Sequence, residues 1–175
     1  MNAYEADILA PGLDVMFCGL NPPPAVAAGG HSFAGASNRF WQVIHLAGFT
    51  PRRLDAAEEC SLLDYRCGIT AAVRRPTKQG TEVSLREFRE ARPPLEARVR
   101  LYKPRVIAFL GKRAITAMLN TPDIHWGLQP ASFAGAIAWV LPNPSGLNRA
   151  FGLDALVSAY SELHAALADD RKQLG

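Results

Sequence analysis

Apolar residues in this chain come in short runs, separated by segments with helical spacing. Residues 14–20, centred on Val15-Met16-Phe17-Cys18, read as a buried strand, and Val106-Ile107-Ala108-Phe109-Leu110 is the clearest run of this kind. Ile137-Ala138-Trp139-Val140-Leu141 is a third, and Leu62-Leu63-Asp64-Tyr65 a shorter fourth. Short unalternated runs suit strands covered on both faces. Between them, Arg39 to about Ala47 offers Phe40, Trp41, Ile44 and Leu46 to a core, with Ser37-Asn38 placed to cap and Gly48 to stop it. Leu54 to Glu59 reads as a short helix. Ser84 with Glu87 has capping-box spacing and opens a helix that Pro93-Pro94 should interrupt or kink before Tyr102. Arg113 to Leu119 and Leu153 to Ala168 follow as further helices. Strands alternating with helices predict a parallel sheet flanked on both faces, a three-layer α/β/α fold in a single domain over residues 1–175.

The ends of two strands carry the same punctuation. The first runs into Gly19-Leu20-Asn21-Pro22-Pro23-Pro24, and three prolines cannot continue a hydrogen-bonded ladder. A stiff extended loop is expected, holding Asn21 at the carboxyl end of its strand, where open α/β sheets place ligands. The last strand runs into Pro142-Asn143-Pro144-Ser145-Gly146-Leu147-Asn148-Arg149. Two strands that each end in Asn-Pro suggest two walls of one pocket, although Asn beside Pro is also an ordinary turn residue.

Composition narrows the class. At 175 residues, 49% apolar and 20% charged, the chain can bury a substantial core. No apolar run reaches the roughly 18 residues of a membrane span. Met1 to Asp7 is acidic without an apolar signal core, so a soluble, cytoplasmic protein without membrane attachment is expected. Cys18, Cys60 and Cys67 suggest neither a disulfide framework nor a metal site, and Cys18 should be a buried small hydrophobe. Neither a dinucleotide-binding glycine turn nor a P-loop follows the first strand. A net charge of +3 is modest, but Arg52-Arg53, Arg74-Arg75 with Lys78, Lys112-Arg113 and Arg149 cluster in expected loops and element ends. Such clusters suit either a solvated surface or phosphate contacts.

Four motifs in order, Gly19-Leu20-Asn21-Pro22, Asn38-Arg39-Phe40-Trp41, Leu63 to Thr70 and Asn143 to Arg149, resemble the mismatch-specific uracil-DNA glycosylases, the bacterial branch related to thymine-DNA glycosylases. The resemblance runs from about Ile8 to Leu167. It implies a monofunctional enzyme that removes uracil, and related lesions such as ethenocytosine or thymine, opposite guanine. The implied partner is double-stranded DNA with G:U or G:T mismatches; no metal and no organic cofactor is implied, and a monomer is expected. A base inside a duplex cannot be reached, so the nucleotide has to be extruded into a pocket. Leu147 is the natural wedge for the gap, on a loop with Ser145 and Gly146, and Arg149 is placed for a base or phosphate; a core Leu147 and a surface Arg149 are the alternatives. Asn21, in the family's catalytic position, would hold the attacking water, with Leu20 beside it at the substrate. An amide is a far weaker proton acceptor than a carboxylate, so slow chemistry is expected.

The resemblance also implies that Phe33 stacks on the extruded base and that Asn143 bounds the pocket opposite. Asn38 suits a helix cap, with a substrate contact as the other use. Asp64 is the candidate carboxylate that could assist Asn21, against an ion pair with Arg66 or a turn bond. Lys112 suits a phosphate contact at a helix start. Three departures bear on substrate range. Pro23 stands where the family has Gly, Val26 where it has a small residue, and Ala72 where close relatives carry Lys. A mismatch- or abasic-site-binding protein with little turnover is the alternative function.

Overall fold

The computed structural model describes residues 7–174. Its centre is a five-stranded sheet in the order β2-β1-β3-β5-β4, formed by β1 (Val15–Gly19), β2 (Cys67–Ala71), β3 (Val106–Leu110), β4 (Gly127–Leu128) and β5 (Ile137–Leu141). The first four of that order run parallel, and β4 adds a short antiparallel edge on β5. The expected parallel sheet therefore gains one antiparallel strand, too brief to leave a sequence signal.

Side chains alternate along the central strands and so serve two cores. Val15 and Phe17 of β1, with Val106, Ala108 and Leu110 of β3, pack against α2 (Phe40–Leu46) and α5 (Leu153–Leu174). Met16 and Cys18, with Ile107 and Phe109, pack against α3 (Leu85–Tyr102) and α4 (Arg113–Leu119). Both faces are buried, which is why these strands read as unbroken apolar runs. The architecture is the expected three-layer α/β/α arrangement.

Three local expectations change. Pro24 does not extend the loop but opens a one-turn helix, α1 (Pro24–Ala27), where a proline at the first position loses no hydrogen bond. Helix α3 runs as one element from Leu85 to Tyr102 with Pro93 and Pro94 inside it, capped by the Ser84 hydroxyl, which accepts from the Glu87 amide at 3.1 Å. The fourth strand is displaced. Leu62 to Tyr65 belong to a 3-10 segment, Ala56–Tyr65, which Arg66 ends in the left-handed region at φ 59°, and the strand that follows is Cys67–Ala71. Its composition, Cys-Gly-Ile-Thr-Ala, is weakly strand-forming. Gly68 serves a crossing instead: a Cβ there would meet Ile8 O at 2.5 Å, and Ile8 and Ile69 exchange backbone bonds that cover the sheet edge.

The register brings the carboxyl ends of the parallel strands to one rim. Gly19 pairs with Ala71, and Leu110 with Leu141. Asn21, Ala72, Gly111 and Asn143 all leave the sheet at this rim, whereas Asp64 lies before β2, at the opposite end.

Candidate active site

The loop after β2 runs alongside the segment after β1 and prolongs their pairing. Ala72 N donates to Gly19 O at 2.9 Å, Val73 N to Leu20 O at 3.0 Å, and Thr77 N to Pro22 O at 3.2 Å. This brings Thr77 to Asn21. The Asn21 Nδ2 group donates to Arg75 O at 2.9 Å and to Thr77 Oγ1 at 2.7 Å. The Thr77 hydroxyl has one proton, and it goes to Gln79 O at 2.6 Å. Thr77 can therefore only accept from Asn21, which fixes the amide with nitrogen toward the loop and leaves Oδ1 as the acceptor on its other side.

Asn21 lines a cleft enclosing about 480 Å³, walled by Gly19, Pro22, Pro23, Val26, Phe33 and Ile69 among others. Part of that space is open to solvent, so the cleft is a small slot at the rim. Phe33 sits in the left-handed region at φ 56° and lies 4.2 Å, centroid to centroid, from the Phe40 ring of α2. The loop that carries it is tied down beside it. Ser32 N donates to Glu59 Oε2 at 2.6 Å, and Trp41 Nε1 donates to Ser32 O at 3.0 Å.

One wall of the slot is ionic. Arg74 donates to both oxygens of Asp7, at 2.7 Å each, and the Thr70 hydroxyl donates to Asp7 Oδ1 at 3.0 Å; all three residues line the cleft. A carboxylate held this way offers acceptor atoms but is engaged by a guanidinium. Below the rim, Cys18 is fully buried, and burial pushes its thiol up to about 12, so it supplies no thiolate nucleophile.

The loop after β5 is rigidly built. Ser145 N donates to Asn143 Oδ1 at 2.9 Å, Leu147 N to Ser145 Oγ at 3.2 Å, and Asn148 Nδ2 to Asn143 O at 2.9 Å. The buried Tyr160 of α5 donates its hydroxyl to Pro142 O at 2.9 Å and anchors the start of the loop. A Cβ on Gly146 would meet Ser37 Cβ at 2.5 Å, so this loop and the segment before α2 interlock. At its tip Leu147 is 69% exposed, an apolar side chain with no core to fill.

Residues 6–164 match the family model described as the uracil DNA glycosylase superfamily. The chain belongs to the uracil DNA glycosylase superfamily. A solution NMR structure from Methanosarcina acetivorans, provisionally described as a uracil DNA glycosylase, has the same fold at a TM-score of 0.56 and 17% identity, over 90% of this chain and 95% of that one. Superfamily members are DNA glycosylases, hydrolases of DNA repair.

Within this superfamily member, the structure brings Asn21 and Phe33 to one slot and stands Leu147 and Arg149 exposed on a loop at the same rim. It moves other expected residues away. Asp64 is exposed at the other end of the sheet, near Asp14, Phe49 and His164, because the segment that carries it precedes β2 instead of ending a strand. The alternative ion pair with Arg66 is not formed either: Arg66 donates to Asp14 at 3.2 Å and to Gly12 O. Leu20 turns into the second core and packs on Gly80, where a Cβ would meet its Cδ1 at 2.6 Å. Asn38 stands one residue before the N-cap Arg39 and accepts from Phe40 N at 3.0 Å in a local turn instead of capping the helix, and Asn143 is spent inside its own loop. Neither lines the slot. Lys112 stays at the rim, directly before α4, with its ammonium 4.5 Å from the Trp126 ring centroid. Among the departures, Pro23 and Val26 do line the slot, while Ala72 is buried and its neighbour Ala71 takes the lining position.

Sequence reading missed Thr77, Asp7, Thr70 and Arg74. Thr77 and Arg74 lay in a loop noted only for its charge, and Asp7 in a terminus noted only for acidity. Their separation from Asn21 along the chain left no pattern to find. No helix among the described residues is long and apolar enough to cross a membrane.

Proposed function

We propose that this chain is a mismatch-directed glycosylase. It extrudes uracil, or a related pyrimidine lesion opposite guanine, from duplex DNA and hydrolyses its N-glycosidic bond. The observation that carries the reading is the fixed amide of Asn21, whose nitrogen is held by Arg75 O and Thr77 and whose oxygen is left to a slot faced by Phe33.

Each part then has a task. As the bond breaks, the sugar gains positive charge and the departing base negative charge. Asn21 Oδ1 accepts from a water and aims it at the sugar carbon. Phe33 stacks on the flat base, for which a small slot is suited. Leu147 fills the gap left in the duplex and opposes the base's return, with Arg149 beside it for phosphate or the orphaned guanine. Val26 and Pro23 narrow the slot against substituents on the pyrimidine ring. The chemistry is slow, because an amide replaces a general base whose contribution is typically 10²–10⁴-fold.

One observation favours a second reading, a mismatch- or abasic-site-binding protein with little turnover. Asp7, a carboxylate in the slot, is engaged by Arg74 and Thr70. One experiment separates the two. Single-turnover incubation with uracil opposite guanine yields an abasic product if the glycosylase reading holds. Tight binding without abasic product would favour the binder.

A further inference from the structure

Arg39 stands where a cation is disfavoured. It precedes the first turn of α2, whose amide dipoles turn their positive end toward it. Its side chain leaves that position and spans the loop after β5. One guanidinium donates to four carbonyls: Nε to Pro144 O at 3.3 Å, Nη1 to Phe151 O at 2.7 Å, and Nη2 to Ser145 O at 2.9 Å and Asn148 O at 3.0 Å. Its backbone amide adds a bond to Pro144 O at 3.0 Å. These acceptors lie on both sides of Gly146 and Leu147. The loop backbone is thereby held at each flank while the Leu147 side chain remains exposed.

We propose that Arg39 is the positioning residue of the Leu147 loop, setting residues 144–151 in their inserting conformation before DNA arrives. The proposal rests on the reading of Leu147 as the plug. A loop already ordered does not lose backbone freedom when the leucine enters the duplex. A planar fork suits this task, since a lysine ammonium is a point donor that cannot reach four separated carbonyls at once. The same short segment carries Phe40, on which Phe33 rests, so slot and plug hang from adjacent residues.

The test uses Arg39→Gln and Arg39→Lys in the full chain. Single-turnover excision is measured on a duplex with uracil opposite guanine and on a single-stranded oligonucleotide, and amide hydrogen exchange is followed over residues 143–151. Losing charge-assisted bonds should slow duplex excision about 10-fold in both variants, with the single-strand rate unchanged. In a Leu147→Ala background, Arg39→Gln should add no further loss on duplex, because the clamp acts through that side chain. Exchange should quicken at the 143–151 amides and not in β1 or β3. Equal losses on both substrates, or an additive loss with Leu147→Ala, would overturn the proposal. If the wild-type chain excises from neither substrate, the glycosylase reading fails by itself. The exchange result then decides the clamp, and unchanged protection in Arg39→Gln overturns it.

Discussion

Replacing Leu147 by Ala tests the plug with little risk to the fold. The side chain is 69% exposed in the free protein, so its truncation leaves no core cavity. Stability should stay within about 0.5 kcal/mol of the parent. In the complex, by contrast, the leucine would be buried between base steps. Leu→Ala removes three carbon groups; at about 0.8 kcal/mol per buried CH₂, the loss is about 2 kcal/mol. That corresponds to roughly 30-fold in rate, at 1.36 kcal/mol per decade. The assay is single-turnover excision of uracil opposite guanine beside uracil in a single strand, where no gap needs filling. A fall of roughly 30-fold on the duplex, with an unchanged single-strand rate, is expected. Equal losses on both substrates, or no loss on the duplex, would refute the reasoning.

Three further outcomes follow. Thr77→Val keeps the shape but removes the hydroxyl that fixes Asn21, leaving an amide N–H without its partner; at about 1–1.5 kcal/mol, kcat should fall roughly 10-fold with KM unchanged, and a rise in KM alone would contradict it. Gly146→Ala drives a Cβ to within 2.7 Å of the Ser37 carbonyl, so duplex excision should fall while single-strand excision is spared; unchanged duplex activity would show that the two segments do not interlock. Burial raises the Cys18 and Cys67 thiols from 9.0 to about 12 in the folded protein. Because the folded values are the higher ones, that contribution is intact below pH 9 and is lost as pH rises toward 12. Denaturant midpoints should therefore fall across this window, and less steeply in a Cys18→Ala, Cys67→Ala double variant.

What was legible in the chain follows from what each feature requires. β1, β3 and β5 are buried on both faces, so their apolar runs marked them almost to the residue. The two Asn-Pro turns could be read because prolines forbid continuation of the ladder, and the parallel register then sets both at one rim. Strand β2 escaped, because Gly68 is needed for the close passage of Ile8 and not for strand formation. Asp64 was misplaced with it, since shifting a strand's start from Leu62 to Cys67 moves that carboxylate to the other end of the sheet. The polar frame of the slot was illegible for another reason. Asn21 meets Thr77, and Asp7 meets Arg74, only after the sheet has formed, and single side chains far apart in sequence carry no periodic signal. Arg39 left one clue, a cation at the unfavourable end of a helix.

The most direct test of the account is Asn21→Ala, compared with the parent for single-turnover release of uracil opposite guanine and for affinity to the same duplex. Excision should fall by about two or more orders of magnitude, the scale of a lost water-positioning group, while DNA affinity is retained. Full excision by the variant would contradict it.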